Sequence, residues 1–212
     1  MPARTLSIEE HERITRAIRA SEENTSGEIV CVLARSSDDY FYPAAFMLTI
    51  GMLLSSFLGA LLLRYWWIAS DPWQFVLVQA AALAAALALL VVFPGLRIHL
   101  VPRRLRYLRA HRNAVSQFLA SDIHLTKSRT GVLLFLSLAE RYAEVVADAG
   151  IDARVPQERW NEIVGGLVRH AAAGRLADGF EEAIRASGAL LAQEFPRKER
   201  DVNELDDRLV EI

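Results

Sequence analysis

Cysteine occurs once, at Cys31, in 212 residues, so the chain makes no intramolecular disulfide. That agrees with a reducing compartment and leaves stability to packing alone. Lysine is scarce too: 22 of the 24 basic residues are Arg, the usage of a GC-rich bacterial genome. Charge is missing altogether from two long stretches, Tyr40–Leu63 and Pro72–Leu96. Also missing are a Gly-rich phosphate loop and a G-x-S-x-G elbow. His11, His99, His111, His124 and His170 are scattered, with no i, i+4 pair and no acid-rich frame. These absences remove the P-loop, α/β-hydrolase and zinc-hydrolase signatures. A net charge of −2 gives no electrostatic case for nucleic acid as a partner.

What is present divides by hydropathy. The chain is 52% hydrophobic although 24% of its residues are charged, an average over two unlike populations. Each charge-free stretch exceeds the ~20 residues that cross a hydrocarbon layer at ~1.5 Å per residue. We therefore expect two transmembrane helices, roughly 44–67 and 73–94, joined by a short turn at Arg64, Ser70, Asp71 and Pro72. Trp66, Trp67 and Trp73 mark that turn, where indoles favour the membrane interface. The first forty residues are polar, with no basic segment leading into an apolar core, so no cleaved signal peptide is expected. Neither span carries an internal charge, which argues against a transporter or proton relay. Gly51, Ser55 and Gly59, and Ala80, Ala84 and Ala88, have small-xxx-small spacing; they would pack the helices on each other or form a homo-oligomer.

Arginine sets the expected orientation. Arg64 alone lies between the spans, whereas Arg97, Arg103, Arg104, Arg106, Arg109 and Arg112 follow the second, and Arg4, Arg13, Arg16, Arg19 and Arg35 precede the first. The positive-inside rule puts both termini in the cytoplasm of a multi-pass bacterial inner-membrane protein. Arg103, Arg104, Arg106 and Arg109 also have the composition that grips anionic lipid headgroups.

The flanks read as the halves of one α/β domain, a small sheet with helices on both faces. Ser7 and Glu10 form a capping-box signature for a helix over 7–24, with Ile14, Ala17, Ile18 and Ser21 on one face. Glu28–Ala34 is apolar on both alternating faces, which predicts a strand covered on both sides and in need of partners. Those partners are expected after the membrane segment, in "GVLLFLSL" at 131–138 and "RYAEVVAD" at 141–148. Helices are expected at 103–122, with Leu105, Leu108, Val115, Phe118 and Leu119 inward, then from Pro156 to a stop at Gly174, then on to Phe195. The expected division is 1–39, the hairpin region 40–96, 97–195, and a charged tail 196–212, mobile or helical.

"LSIEEHERITRAIRASEENTSGEIVCVLA" at 6–34, "KSRTGVLLFLSLAERYAEVVADAGI" at 127–151 and "RHAAAGRLADGFEEAI" at 169–184 together resemble a TPM domain, here split by the hairpin. The resemblance implies a compact α/β sandwich; some members are associated with acid phosphatase activity and calcium, while bacterial ones are mostly unassigned. This chain departs from the family where many members have "DDR" and "GYGLEG": it carries Ala139, Glu140 and Arg141, then Asp148, Ala149, Gly150, Ile151 and Asp152.

The candidate site from the residues is the sheet edge where Glu140, Arg141, Asp148 and Asp152 would converge. Carboxylates there could hold calcium or magnesium, and Arg141 a phosphate ester. One cation with oxygens at ~2.3–2.6 Å requires those carboxylates within about 5 Å of one another. The alternative is a solvated turn. Three functions follow as expectations. The first is a membrane-anchored accessory or interaction module in membrane-protein assembly or maintenance, with other membrane proteins as partners. The others are a weak metal-dependent phosphatase and an anionic-lipid sensor.

Overall fold

The computed structural model describes residues 6–66, 71–126, 129–197, 205 and 207–212. Expectations for Arg4, Trp67, Ser70, Lys127 and Ser128 lie outside those residues. The chain forms two compact units, one from Met1–Ser37 with Tyr107–Ile212, the other from Asp38–Arg106.

The first unit is built on a four-stranded sheet of order β3-β2-β1-β4, from Glu28–Ala34 (β1), Gly131–Ser137 (β2), Tyr142–Ala147 (β3) and Leu209–Glu211 (β4). β1 and β2 run parallel from Glu28 opposite Gly131 to Ala34 opposite Ser137. β3 folds back antiparallel on β2, with Ser137 opposite Tyr142 and Val132 opposite Ala147. β1 and β2 are buried on both faces, as their unbroken apolar runs require.

One face carries Ile29, Cys31, Leu33, Val132, Leu134 and Leu136 against three helices: Ile8–Glu22 (α1), Gln157–Ala172 (α7) and Leu176–Glu194 (α8). Ser7 caps α1 in the expected box, its hydroxyl accepting the Glu10 N–H while Glu10 accepts the Ser7 N–H. Pro156 is the N-cap of α7 rather than its first helical residue. Gly174 ends that segment at φ +73°, a left-handed backbone that a side chain would strain. Cys31 is fully buried, and burial pushes its thiol up, so it is inert as a nucleophile.

The other face carries Val30, Val32, Ala34, Leu133 and Phe135 against Arg103–Ala120 (α5). Here the predicted stripe is borne out at Phe118 and corrected at the leucines. α5 buries Ala110, Ala114 and Phe118, whereas Leu108 and Leu119 are exposed. Of these, Ala114 and Phe118 pack on the sheet.

A second correction concerns the tail. Instead of ending as a helix or a mobile segment, Leu209–Glu211 pairs parallel with Cys31–Leu33 as an edge strand. Leu209 enters the core, and the Ile212 N–H donates to the Leu33 carbonyl at 3.0 Å.

The second unit holds Phe41–Tyr65 (α2), Pro72–Val92 (α3) and Pro94–Leu100 (α4). α2 and α3 have mean hydropathies of 2.2 and 2.7 and are long and apolar enough to cross a membrane. Tyr40 and Ala44 at the start of α2 pack with Leu90 near the end of α3 and with Val101, so the two helices form a hairpin. Arg97 closes its base: its Nε–H donates to the Leu90 carbonyl at 2.9 Å, and its guanidinium lies 5.3 Å from the centre of the Phe41 ring. Between the helices, the Gln79 amide donates to the Ser56 hydroxyl.

The expected close packing through Gly51, Ser55 and Gly59 is not what joins α2 to α3. A Cβ at Gly51 or Gly59 would meet nothing within 4 Å, and the Ser55 hydroxyl donates to the Met52 carbonyl of its own helix. Ser56, one residue further along, and not the small stripe, meets α3 through Gln79.

Candidate functional site

Glu140 sits in the β2–β3 turn, where Arg141 adopts φ +54°. The carboxyl group is only 2% exposed. One oxygen accepts the Ser37 N–H at 2.9 Å and the Ser36 hydroxyl at 3.4 Å, and the other accepts the Ser137 hydroxyl. The Ala139 N–H adds a bond to the Arg35 carbonyl at 3.1 Å. Glu140 is thus a bracket tying the end of β1 to the hairpin, and its lone pairs are used by the fold itself. Arg141 beside it is exposed.

Asp148 and Asp152 lie elsewhere, which corrects the expected convergence. Asp148 follows β3 and its N–H donates to the carbonyl of Gly131, the first residue of β2. The whole of β3, six residues at ~3.3 Å each, separates it from the turn that holds Glu140, a span of about 20 Å. The strand-to-turn connections are short, as expected, but β3 is antiparallel, so its two ends lie at opposite ends of the sheet. Among the described residues, no three His, Cys, Asp or Glu side chains are placed to hold one metal ion.

Asp148 and Asp152 do share a turn, the short helix Ala149–Asp152 (α6). One Asp148 oxygen accepts the Ala149 N–H at 2.6 Å, and the Asp152 N–H donates to the Asp148 carbonyl at 3.0 Å. The other Asp148 oxygen is buried without a hydrogen-bond partner, in a side chain 5% exposed. A buried carboxylate oxygen left bare in this way is costly, and a cation at the turn would satisfy it, with exposed Asp152 one helical turn away.

The arginines proposed for headgroup contact all fall on the first two turns of α5. Arg103 and Arg104 are exposed, while Arg106 and Arg109 are half-buried, with the Nε of each shielded from water. Arg103, Arg104 and Arg106 have no acidic partner among the described residues.

Two polar groups were not seen in the sequence. On the α5 side of β3, the His111 Nδ1 lies 2.9 Å and 3.0 Å from the two Glu144 oxygens, and the Tyr142 hydroxyl donates to Glu144 at 2.9 Å. Burial, with that bond to Glu144, pushes the Tyr142 phenol up. At the other end of the sheet, Glu22 accepts the Ile29 N–H at 2.8 Å beside Glu28 and Asp207. Burial pushes the Glu22 carboxyl up to about 9, the charges of Glu28 and Asp207 push the same way, and the Ile29 N–H opposes them. The signal for Glu22 was present: it continues the Ile14, Ile18 stripe at i+4, so a glutamate occupies a core-facing position. Nothing local marks His111 and Glu144 as neighbours, because 33 positions separate them.

Residues 95–190 match the family model of the TPM domain, named TPM_phosphatase. The TPM resemblance read from the sequence is therefore shown for that stretch. The fold is similar to the NMR structure of the BA42 protein from the psychrophilic bacterium Bizionia argentinensis, with a TM-score of 0.62 and 19% identity. That match covers 100% of this chain and 99% of the other, and at such an identity it shows the fold alone. No curated protein sequence matches the chain.

Proposed function

We propose that this chain is a membrane-anchored TPM-domain protein whose soluble unit serves as an accessory or interaction module for the assembly or maintenance of other membrane proteins. The observation that carries this reading is the place of the apolar hairpin. It lies within the connection between β1 and β2, so the anchor interrupts the middle of the domain rather than trailing from one end. Side chains such as Leu54, Phe57 and Val78 are 65–70% exposed on the hairpin, an arrangement that water penalises and lipid tolerates. Arg103, Arg104 and Arg106 follow it as a cationic collar suited to anionic headgroups at the cytoplasmic face of a bacterial inner membrane. Glu140, the acid best placed at a strand end, is occupied by structural hydrogen bonds, which favours binding over catalysis.

Topology and contact are tested together. A reporter fused after Ile212 is expected to be cytoplasmic, one inserted beside Asp71 periplasmic, and photo-crosslinkers on the soluble unit are expected to trap integral membrane proteins. A periplasmic C-terminus, or crosslinks confined to lipid, would overturn the reading.

The unpartnered Asp148 oxygen favours a second one: a calcium or magnesium ion at the Asp148–Asp152 turn, supporting weak phosphate-ester hydrolysis, with Arg141 too far along β3 to assist. Calorimetric titration of the full-length protein in detergent is expected to show binding that Asp148→Asn with Asp152→Asn abolishes and Glu140→Gln leaves intact. No heat at millimolar metal, or equal loss in the Glu140 variant, would discard this site.

A further inference from the structure

α1 and α8 lie side by side and run in the same direction, since Arg13 meets Asp178 and Glu181 at one end and Ser21 meets Gly188 at the other. Their closest approach depends on glycine: a Cβ at Gly188 would stand 2.6 Å from the Ser21 Cβ. Along the outer seam each helix offers only small side chains, Ala17, Ala20 and Ser21 on one and Ala189 and Ala192 on the other. Close-packed helices with truncated side chains leave an open groove of about 720 Å³. Elsewhere these helices turn large residues such as Ile14, Ile18, Phe180 and Leu191 into the core, so the groove belongs to the outer surface alone.

Its rim is positive on a chain whose net charge is −2. Arg13, Arg16 and Arg185 line it against a single acid, Glu181. Glu181 is shared, lying 2.7 Å from the Arg13 Nε and 3.1 Å from Arg185. Arg16 has only a 3.3 Å bond from its Nε to the Glu12 carbonyl, with no acid beside it among the described residues. Arg13 is paired with Asp178 as well, at 2.9 Å, so the rim's excess positive charge is carried by Arg16 on one side of the apolar floor and by Arg185, which only shares Glu181, on the other.

We propose that this groove is the docking site through which the interaction module of the preceding section engages its partner, and that the occupant is an acidic amphipathic helix. From Arg13 to Asn24 the floor is about 17 Å long at 1.5 Å per residue, room for roughly three helical turns. Leucine-sized knobs at i, i+3 or i+4 and i+7 match a floor of alanines, where backbones approach closely. Glutamates flanking that ridge meet Arg16 and Arg185, which supplies orientation and selects against basic helices.

The test uses the full-length protein in detergent micelles. Its probe is a fluorescein-labelled three-turn peptide with a leucine ridge and glutamate flanks, alongside a copy with lysine flanks. Anisotropy titration is expected to show saturable binding of the glutamate peptide, at least tenfold weaker for the lysine one, and weaker as salt rises. Ala189→Trp fills the groove at an exposed position, and Arg16→Glu reverses its rim without disturbing the core; each is expected to cost tenfold or more in affinity. Affinity unchanged in both variants, or equal binding of both peptides, would overturn the proposal. So would a concentration-dependent dimer of the protein alone that Ala189→Trp dissolves, since the occupant would then be a second copy. The broader reading fails separately: if crosslinkers at Ala20 and Ala189 trap nothing while those elsewhere on the soluble unit trap membrane proteins, only the groove is lost.

Discussion

The strands "EIVCVLA" and "GVLLFLS" and the helices α2 and α3 are drawn from nearly the same apolar alphabet, yet the fold treats them oppositely. In β1 and β2 almost every side chain is sealed, with Leu133, Leu134 and Phe135 at 0% exposure. In the hairpin, Leu54, Phe57 and Val78 face outward. The difference teaches that apolar content does not by itself say where a core is. The period and length of the run decide it: seven residues with both faces apolar need flanking helices, whereas more than twenty make a helix long enough to cross a membrane.

The sharpest way to break the comparison is a pair of identical truncations. Phe135→Ala in β2 is expected to destabilise the soluble unit by about 3–5 kcal/mol, by lost burial and the cavity left behind. Phe57→Ala on the hairpin is expected to leave chemical denaturation of the same unit in detergent unchanged. Equal losses would mean that the hairpin is packed like a core.

The next largest effect is proton-linked and belongs to the soluble unit. Glu22 is held near 9 in the fold and titrates near ~4.3 when the chain is unfolded. The folded state therefore keeps a proton that the unfolded state releases, so stability is greatest at low pH and is lost as pH rises between those values. Urea midpoints measured from pH 5 to 9 are expected to fall in the wild type, corresponding to a loss of stability of the order of a few kcal/mol. Glu22→Gln, which still accepts the Ile29 N–H, is expected to flatten that slope. A wild-type profile that stays level across this window would contradict the protonated Glu22.

The smallest effect sharpens the hairpin side. Gln79→Leu removes the bond to Ser56 between the two apolar helices and is expected to cost about 0.6 kcal/mol, the average for such bonds in lipid. Crosslinking yield between single cysteines in α2 and α3 would report it, and a large drop would mean that this one bond holds the hairpin together.

The sequence carried most of the fold, because its strongest signals are periodic. The capping box at Ser7, the doubly apolar strands, the apolar helices and the stop at Gly174 are all local chemistry. β4 escaped because three residues in a charged tail carry too little pattern, and their strand character comes from the exposed edge of β1. The inward face of α5 is legible only at Phe118, because the buried Ala110 and Ala114 lack the bulk that marks a core position in a sequence. The candidate site was legible only as residue types. Glu140, Asp148 and Asp152 are near in sequence, but an antiparallel hairpin sends the two ends of β3 in opposite directions, and strand direction is a property of pairing. The α1–α8 groove depends on contacts across more than a hundred residues, such as Arg13 with Asp178.

β1 is the earliest strand to be made, and it pairs with both β2 and β4. Residues 35–130, including the whole hairpin, must be synthesised before the first of those partners begins. During translation the central strand of the sheet therefore waits, with its edges open, while the ribosome delivers the apolar helices. The sheet closes only after they have left the ribosome, and the last three-residue strand seals it at the end of the chain. Order of synthesis thus makes the central strand depend on partners made about a hundred residues or more after it, so that a chain broken off within the hairpin would present an unpaired strand edge to chaperones and proteases.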